Sequence, residues 1–231
     1  MESIAHAIAF LGMNSVRSIC LQYLLDASFR TDDPEIKIIF DRLWQASALA
    51  SELCFKLAKR LELPEPGALV TQAVLSFLGQ VASHSLLSRQ VVIPILSKGL
   101  MERSRIEQES LGLCAAEIGS LLMEQWEVPT GIVARVRAMD MVLLTPCAPK
   151  PSEQDCAMAL CYFCARLGEK LTRMEIRDLA AFRVEQEQSP ELFNFQAYLQ
   201  QPRLEGLKAV LNEPVLVSSI HTMLHAMHTR L

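Results

Sequence analysis

Three histidines near the end of the chain, His221, His225 and His228, fall at i, i+4 and i+7. On a helix this spacing puts the imidazoles on one face, close enough to share a metal ion. The zinc-peptidase pattern places a glutamate after the first histidine of such a pair. Here Thr222, Met223 and Leu224 fill the gap. A surface histidine face near a helix C-terminus, where the macrodipole favours cations, is the preferred account, and no metal is expected. Cys156, Cys161 and Cys164 share one helical stretch, and the last two read as CxxC. A dithiol redox site needs a βαβ context that the flanking residues do not describe, so buried reduced thiols are expected. Glu107 and Glu109 precede Gly112 and could pair as acid and base. With no metal or cleft histidine nearby, solvated charges or helix-end interactions are the better account. Arg103, Arg105, Arg135 and Arg137 form a modest basic set. Arg135 and Arg137 are two apart and point to different sides, so no phosphate-binding stripe follows. Trp44 and Trp126 suit packing better than ligand stacking.

The elements that must position these residues are all helices. The stretch from Glu107 to Pro129 is expected to organise the chain. Ile118, Leu121, Leu122 and Trp126 recur at helical spacing, and Gly112, Ala115, Ala116, Gly119 and Ser120 offer a face for close helix approach. Truncating Trp126 or Leu122 to alanine should then cost about 3 kcal/mol. Upstream, Ser3 to Leu11 reads as a short helix with Gly12 as its stop, and Asn14 or Ser15 caps a second. Asp33-Pro34-Glu35 opens a helix to about Leu61 that buries Ile36, Ile39, Phe40, Leu43, Ser47, Ala50, Cys54 and Leu57. Pro64 to Gly67 is a turn, followed by a nearly apolar and therefore central helix from Ala68 through Ala82. Val91 to Leu96 has strand composition, but with no second strand to pair with it, helical or irregular structure is preferred. Thr130 to Met139 is a helix, and Thr145 to Pro151 is a loop. Ser152 with Asp155, and Thr172 with Glu175, read as capping boxes. Ser189-Pro190-Glu191 and Asn212-Glu213-Pro214 each open a further helix.

Composition narrows the function classes. Of 231 residues 51% are hydrophobic and 21% charged, which excludes a disordered chain. A net charge of -4 argues against general nucleic-acid binding. Charged residues and prolines interrupt every apolar run before it reaches membrane-spanning length. A mean hydropathy of +0.22 is high for such a chain and implies a large helical core, with apolar surface left for a partner. MESIAHAIAF lacks a basic start and a cleavage site, so no signal peptide is expected. Seven cysteines without framework spacing suit a reducing compartment, and the expected location is cytoplasmic.

Three blocks together resemble the HDOD domain, the HD-related output domain of bacterial signalling proteins. They are SIAHAIAFLGMNSVRSICL, then FDRLWQASALASELCFKLA followed by ALVTQAVLSFLGQVA, and the spaced set Glu107, Gly112, Gly119, Trp126 and Pro129. The resemblance covers roughly residues 1 to 170 and implies an all-α, HD-like multi-helix bundle. Residues 1–150 would form the HDOD-like domain, and residues 151–231 a helical segment packing on or beside it. The helix from Ser152 to Leu171 should join the bundle's core. Such domains usually begin with further helices, whereas this chain starts inside the pattern.

The resemblance also implies where chemistry has been removed. HD phosphohydrolases hold one or two cations through a histidine on one helix, a His-Asp pair on a second and further histidines. Those cations lower the pKa of a bound water. In this sequence the positions fall on Ala46, on Ser76 and Phe77, on Ala115, and on Met139 and Asp140. Asp140 alone among them suits a hard cation, and the others lack the required oxygen or imidazole donors. The resemblance therefore implies a metal-free, degenerate site with no cofactor. The leading expectation is a non-enzymatic bacterial signalling domain that works through protein partners, with self-association as an open alternative. A small-molecule or nucleotide sensor using the former metal cleft would need a sizeable pocket beside Ala46, Ser76, Ala115 and Asp140. A metal-dependent phosphohydrolase ranks last.

Overall fold

The computed structural model describes Tyr23, Phe29 and residues 31 to 228, with the backbone alone for His228. The two helices expected before Ala27 lie outside the described residues. Among those described the chain is all-α: α1 Pro34–Arg60, α2 Pro66–Leu75, α3 Leu78–Leu86, α4 Arg89–Ile95, α5 Leu100–Leu111, α6 Ala115–Gln125, α7 Thr130–Ala138, α8 Met141–Leu144, α9 Glu153–Thr172, α10 Phe195–Tyr198, α11 Leu207–Leu211 and α12 Pro214–His228. Two 3-10 turns, Val184–Gln186 and Pro190–Leu192, precede α10. No described helix is long and apolar enough to cross a membrane.

The architecture is built around α1 and α9, which pack along each other. Local chemistry fixes where both begin. Asp33 accepts hydrogen bonds from the Glu35 and Ile36 amides ahead of Pro34. Ser152 and Asp155 cap each other reciprocally, with the Ser152 amide 2.8 Å from the Asp155 carboxylate. Small residues set the separation of the pair. A Cβ placed on Gly168 of α9 would lie 2.6 Å from the Ala46 carbonyl oxygen on α1. One cluster of buried side chains runs from Ile39 on α1 through α9 to Ile220 on α12. Phe163 stacks on Phe195 within it, with ring centroids 4.7 Å apart. A smaller cluster, Val74, Leu75, Leu78, Met123, Val133 and Val136, joins α2, α3, α6 and α7.

The stretch from Glu107 to Pro129 is not the central element. Gly112 takes a left-handed conformation at φ 78° and ends α5, and α6 starts at Ala115. Trp126 lies at the C-terminal end of α6 and is 44% exposed, Leu121 is 54% exposed, and Leu122 is half-buried. The periodicity is helical, but its apolar stripe turns partly outward. The small face does act as expected at Ala115 and Gly119. A Cβ on Gly79 of α3 would come within 1.9 Å of the Ala115 carbonyl oxygen.

The apolar run from Ala68 to Ala82 also divides, into α2 and α3. The Ser76 hydroxyl bonds back to the Ala73 carbonyl, and the Phe77 amide reaches Val74 rather than the carbonyl four residues back. The bend lets Gly79 meet α6. The stretch from Val91 to Leu96 is helical, with Pro94 in the last turn of α4. Thr172 and Glu175 do not open a helix. The Thr172 hydroxyl bonds to the Gly168 and Glu169 carbonyls inside α9, and Met174 follows at φ 59°.

Candidate functional site

The six positions that the resemblance aligns with HD ligands are mostly part of the packing. Ala46, Phe77 and Met139 are buried in the large core cluster, and Ala115 is buried where α3 crosses α6. Ser76 and Asp140 are half-buried. Alanine, phenylalanine and methionine offer a hard divalent cation no side-chain oxygen, so these positions do not fit the metal that the resemblance implies for HD phosphohydrolases. Among the described residues no group of three histidine, cysteine or carboxylate side chains is placed to hold a metal ion. His221 instead lies 3.4 Å from Asp178 and faces the Leu179 amide, while His225 is exposed further along α12. Two surface cavities, of about 620 and 510 Å³, are lined by none of the six positions.

Asp140 faces a buried ionic cluster whose members come from three helices, α3, α5 and α9. Glu169 on α9 sits between three guanidinium groups. Arg103 from α5 reaches it at 2.8 Å, Arg166 at 3.2 Å and Arg173 at 3.1 Å. Arg103 also donates to Gln80 on α3 at 3.2 Å. Burial alone would raise the Glu169 carboxyl, but Arg103, Arg166 and Arg173 together hold it well below the ordinary carboxylate range. Burial also opposes charge on Arg166, which Glu169 and Asp140 nonetheless keep protonated. Burial pushes Asp140 upward, against the pull of Arg166 and Arg103.

Glu107, at the edge of this cluster, has a structural task. Its carboxylate accepts from the Ser83 hydroxyl at 2.7 Å and from the Ala115 amide at 2.8 Å, so it caps α6 from the preceding helix. Burial raises its pKa, and these two hydrogen bonds oppose the rise. This is a helix-end interaction, one of the two accounts expected. Glu109 is exposed and pairs with Arg105. His84 lies fully buried nearby, with neither ring nitrogen hydrogen-bonded. Burial, reinforced by the Arg103 charge, pushes its pKa down to about 3.

The basic set read from the sequence therefore disperses. Arg103 is buried and paired, Arg105 pairs with Glu102 and Glu109 at the surface, and Arg135 and Arg137 are exposed on α7. Cys156, Cys161 and Cys164 are buried and unbridged. The residues that sequence reasoning missed are Arg166, Glu169, Arg173, Gln80, Ser83 and His84. A signal for the first three was present. Arg166, Glu169 and Arg173 fall at i, i+3 and i+7 on a helix that is apolar nearly all round, and such a helix leaves little room to place charges in water.

Chemically, the cluster is an arginine clamp on one carboxylate, with Arg103 and Arg166 buried and Arg173 half-buried at its edge. Neither a curated protein nor a solved structure matches the chain. The family model of the HDOD domain matches residues 1–141. That span takes in the Glu107–Pro129 motif and the apolar former-ligand positions, and by it the chain belongs to the HDOD domain family.

Proposed function

We propose that the chain is a non-catalytic signalling domain of the bacterial cytoplasm that acts through protein contacts. The observation that carries this is the filling of the former metal positions by Ala46, Phe77, Ala115 and Met139, all of them buried. Hydrolysis of a phosphate ester needs a water of lowered pKa and cationic stabilisation of the transition state. The family's enzymatic relatives draw both from metals, and one half-buried carboxylate cannot assemble the several oxygen ligands a hard cation takes. Binding through surface is supported by large apolar side chains left outside. Phe193 is 76% exposed, and Leu144 and Met141 are 59% and 48% exposed where α8 meets the 3-10 turn at Pro190–Leu192.

The test is elemental analysis of the purified protein, with assays on cyclic dinucleotides and nucleotide phosphates in magnesium and manganese. No turnover above buffer is expected. Stoichiometric metal with metal-dependent turnover, abolished by Asp140→Asn, would overturn the proposal.

A further inference from the structure

The contact between α1 and α9 contains a pair of thiols. Cys54 on α1 and Cys161 on α9 are both fully buried, with their sulfurs 3.6 Å apart. Cys164, three residues further along α9, is buried with them. A disulfide needs a Cα separation of roughly 4.4–6.8 Å and an S–S length of about 2.05 Å. The helices already approach to the limit that Gly168 and Ala46 permit.

Solvent comes close to this pair. The cavity of about 510 Å³ is lined by Leu69 on α2 and by Ala157 and Met158 on α9, with Arg135 at its wall. Cys161 follows Ala157 by four residues and so lies on the same side of α9. Its sulfur is 3.6 Å from the Leu69 carbonyl oxygen, which places it under the cavity floor. Hydrogen bonds from Cys161 and Cys164 pull the Cys54 thiol below the ordinary range, while Cys161 is pushed up by the same contact and by burial. At this separation either sulfur can act as the attacking thiolate once it loses its proton.

We propose that Cys54 and Cys161 are a disulfide-forming site, oxidised by hydrogen peroxide, that locks α1 to α9. The Cys54 thiolate attacks one peroxide oxygen and the O–O bond breaks. With one proton taken up, this leaves a sulfenic acid and one water. The Cys161 sulfur then attacks the Cys54 sulfur, the S–O bond breaks, and the departing hydroxide takes the Cys161 proton as a second water. Two thiols lose two electrons in total, and one peroxide becomes two waters. The family match ends at residue 141 and α9 begins at Glu153. The bond therefore ties the HDOD region to the segment that follows it.

The test treats the full native chain with a tenfold excess of hydrogen peroxide, quenches it, alkylates free thiols, and maps peptides without reduction. The expected product is a peptide pair joined through Cys54 and Cys161. It is absent from Cys161→Ser, retained in Cys164→Ser and removed by dithiothreitol. Oxidised protein should also melt at a higher temperature than reduced protein. Peroxide that modifies Cys114 or Cys147 while leaving Cys54 and Cys161 free would overturn the proposal. So would a Cys54–Cys164 link in its place, or a link that forms only after denaturant is added. Linked protein with an unchanged or lower melting temperature would overturn the lock. The wild-type peptide map decides the pairing even where a serine variant fails to fold.

Discussion

The positions aligned with HD ligands and the Arg103–Glu169 cluster sit in the same bundle and have met burial in opposite ways. At Ala46, Phe77 and Met139 the chain places side chains that need no partner, and the surrounding helices close over them. At Glu169 it buries a carboxylate and surrounds it with three guanidinium groups. The first solution is forgiving, since apolar packing tolerates exchange of shape at near-constant volume. The second is demanding. Removing one member leaves the others charged and out of water, although a buried pair is not by itself evidence of high stability. The difference separates what keeps the bundle filled from what fixes how α3, α5 and α9 are arranged.

The sharpest way to break this comparison is Glu169→Gln. Three buried or half-buried cations lose their shared counter-charge, and a loss of about 3–5 kcal/mol is expected in urea denaturation. A loss below 1 kcal/mol would mean that the cluster is not a structural keystone. The pH dependence of stability comes next. His84 has a folded pKa of about 3 against an ordinary value of 6.5, so the unfolded chain binds the extra proton. Its contribution is fully present above pH 6.5 and is lost as pH falls from there toward 3, at up to about 1.4 kcal/mol per unit. Glu107 and Asp140, whose pKa values are raised, work in the opposite direction. The readout is therefore the stability of wild type minus that of His84→Leu, which should fall as pH drops from 6.5 to 4.5. Parallel curves for the two proteins across that range would count against a neutral buried imidazole.

Smaller effects belong to the apolar side. Met139→Leu conserves volume at a former ligand position and should cost less than about 1.5 kcal/mol. A larger cost would show that this position is as exacting as the ionic cluster. Trp126→Ala should cost about 1 kcal/mol or less, since the indole is 44% exposed at the end of α6. This revises the figure of about 3 kcal/mol that full burial would imply, and comparison of thermal midpoints with Phe163→Ala would settle it.

Much of the framework could be read from the sequence because it rests on local chemistry. Asp33-Pro34 and Ser152 with Asp155 open α1 and α9 as expected, since a cap needs only its next three residues. Buried thiols and the absence of strands among the described residues followed from composition and spacing. What could not be read depends on which side of a helix meets a neighbour. The α6 stripe looks central until Leu121 and Trp126 are seen to face outward. Thr172 looks like a cap until its hydroxyl is seen bonded into α9. The buried ionic cluster joins residues as far apart as Gln80 and Arg173; the spacing of Arg166, Glu169 and Arg173 hints at it locally, but no local pattern brings in Gln80 or Arg103.

The pairing of α1 with α9 also bears on how the chain folds. Cys54 and Cys161, which touch across the two helices, are 107 positions apart. A core that depends on so long a loop closure forms late and slowly compared with one built from adjacent helices. During synthesis α2 can cover part of the apolar face of α1 early, but the part that meets α9 stays uncovered until the ribosome has released the whole of α9. Meanwhile α2 and α3 can collapse against α6 and α7. A nascent chain stalled after residue 141 has the full family span but still lacks α9, the helix most extensively packed on α1. Such intermediates expose hydrophobic surface and are prone to aggregate.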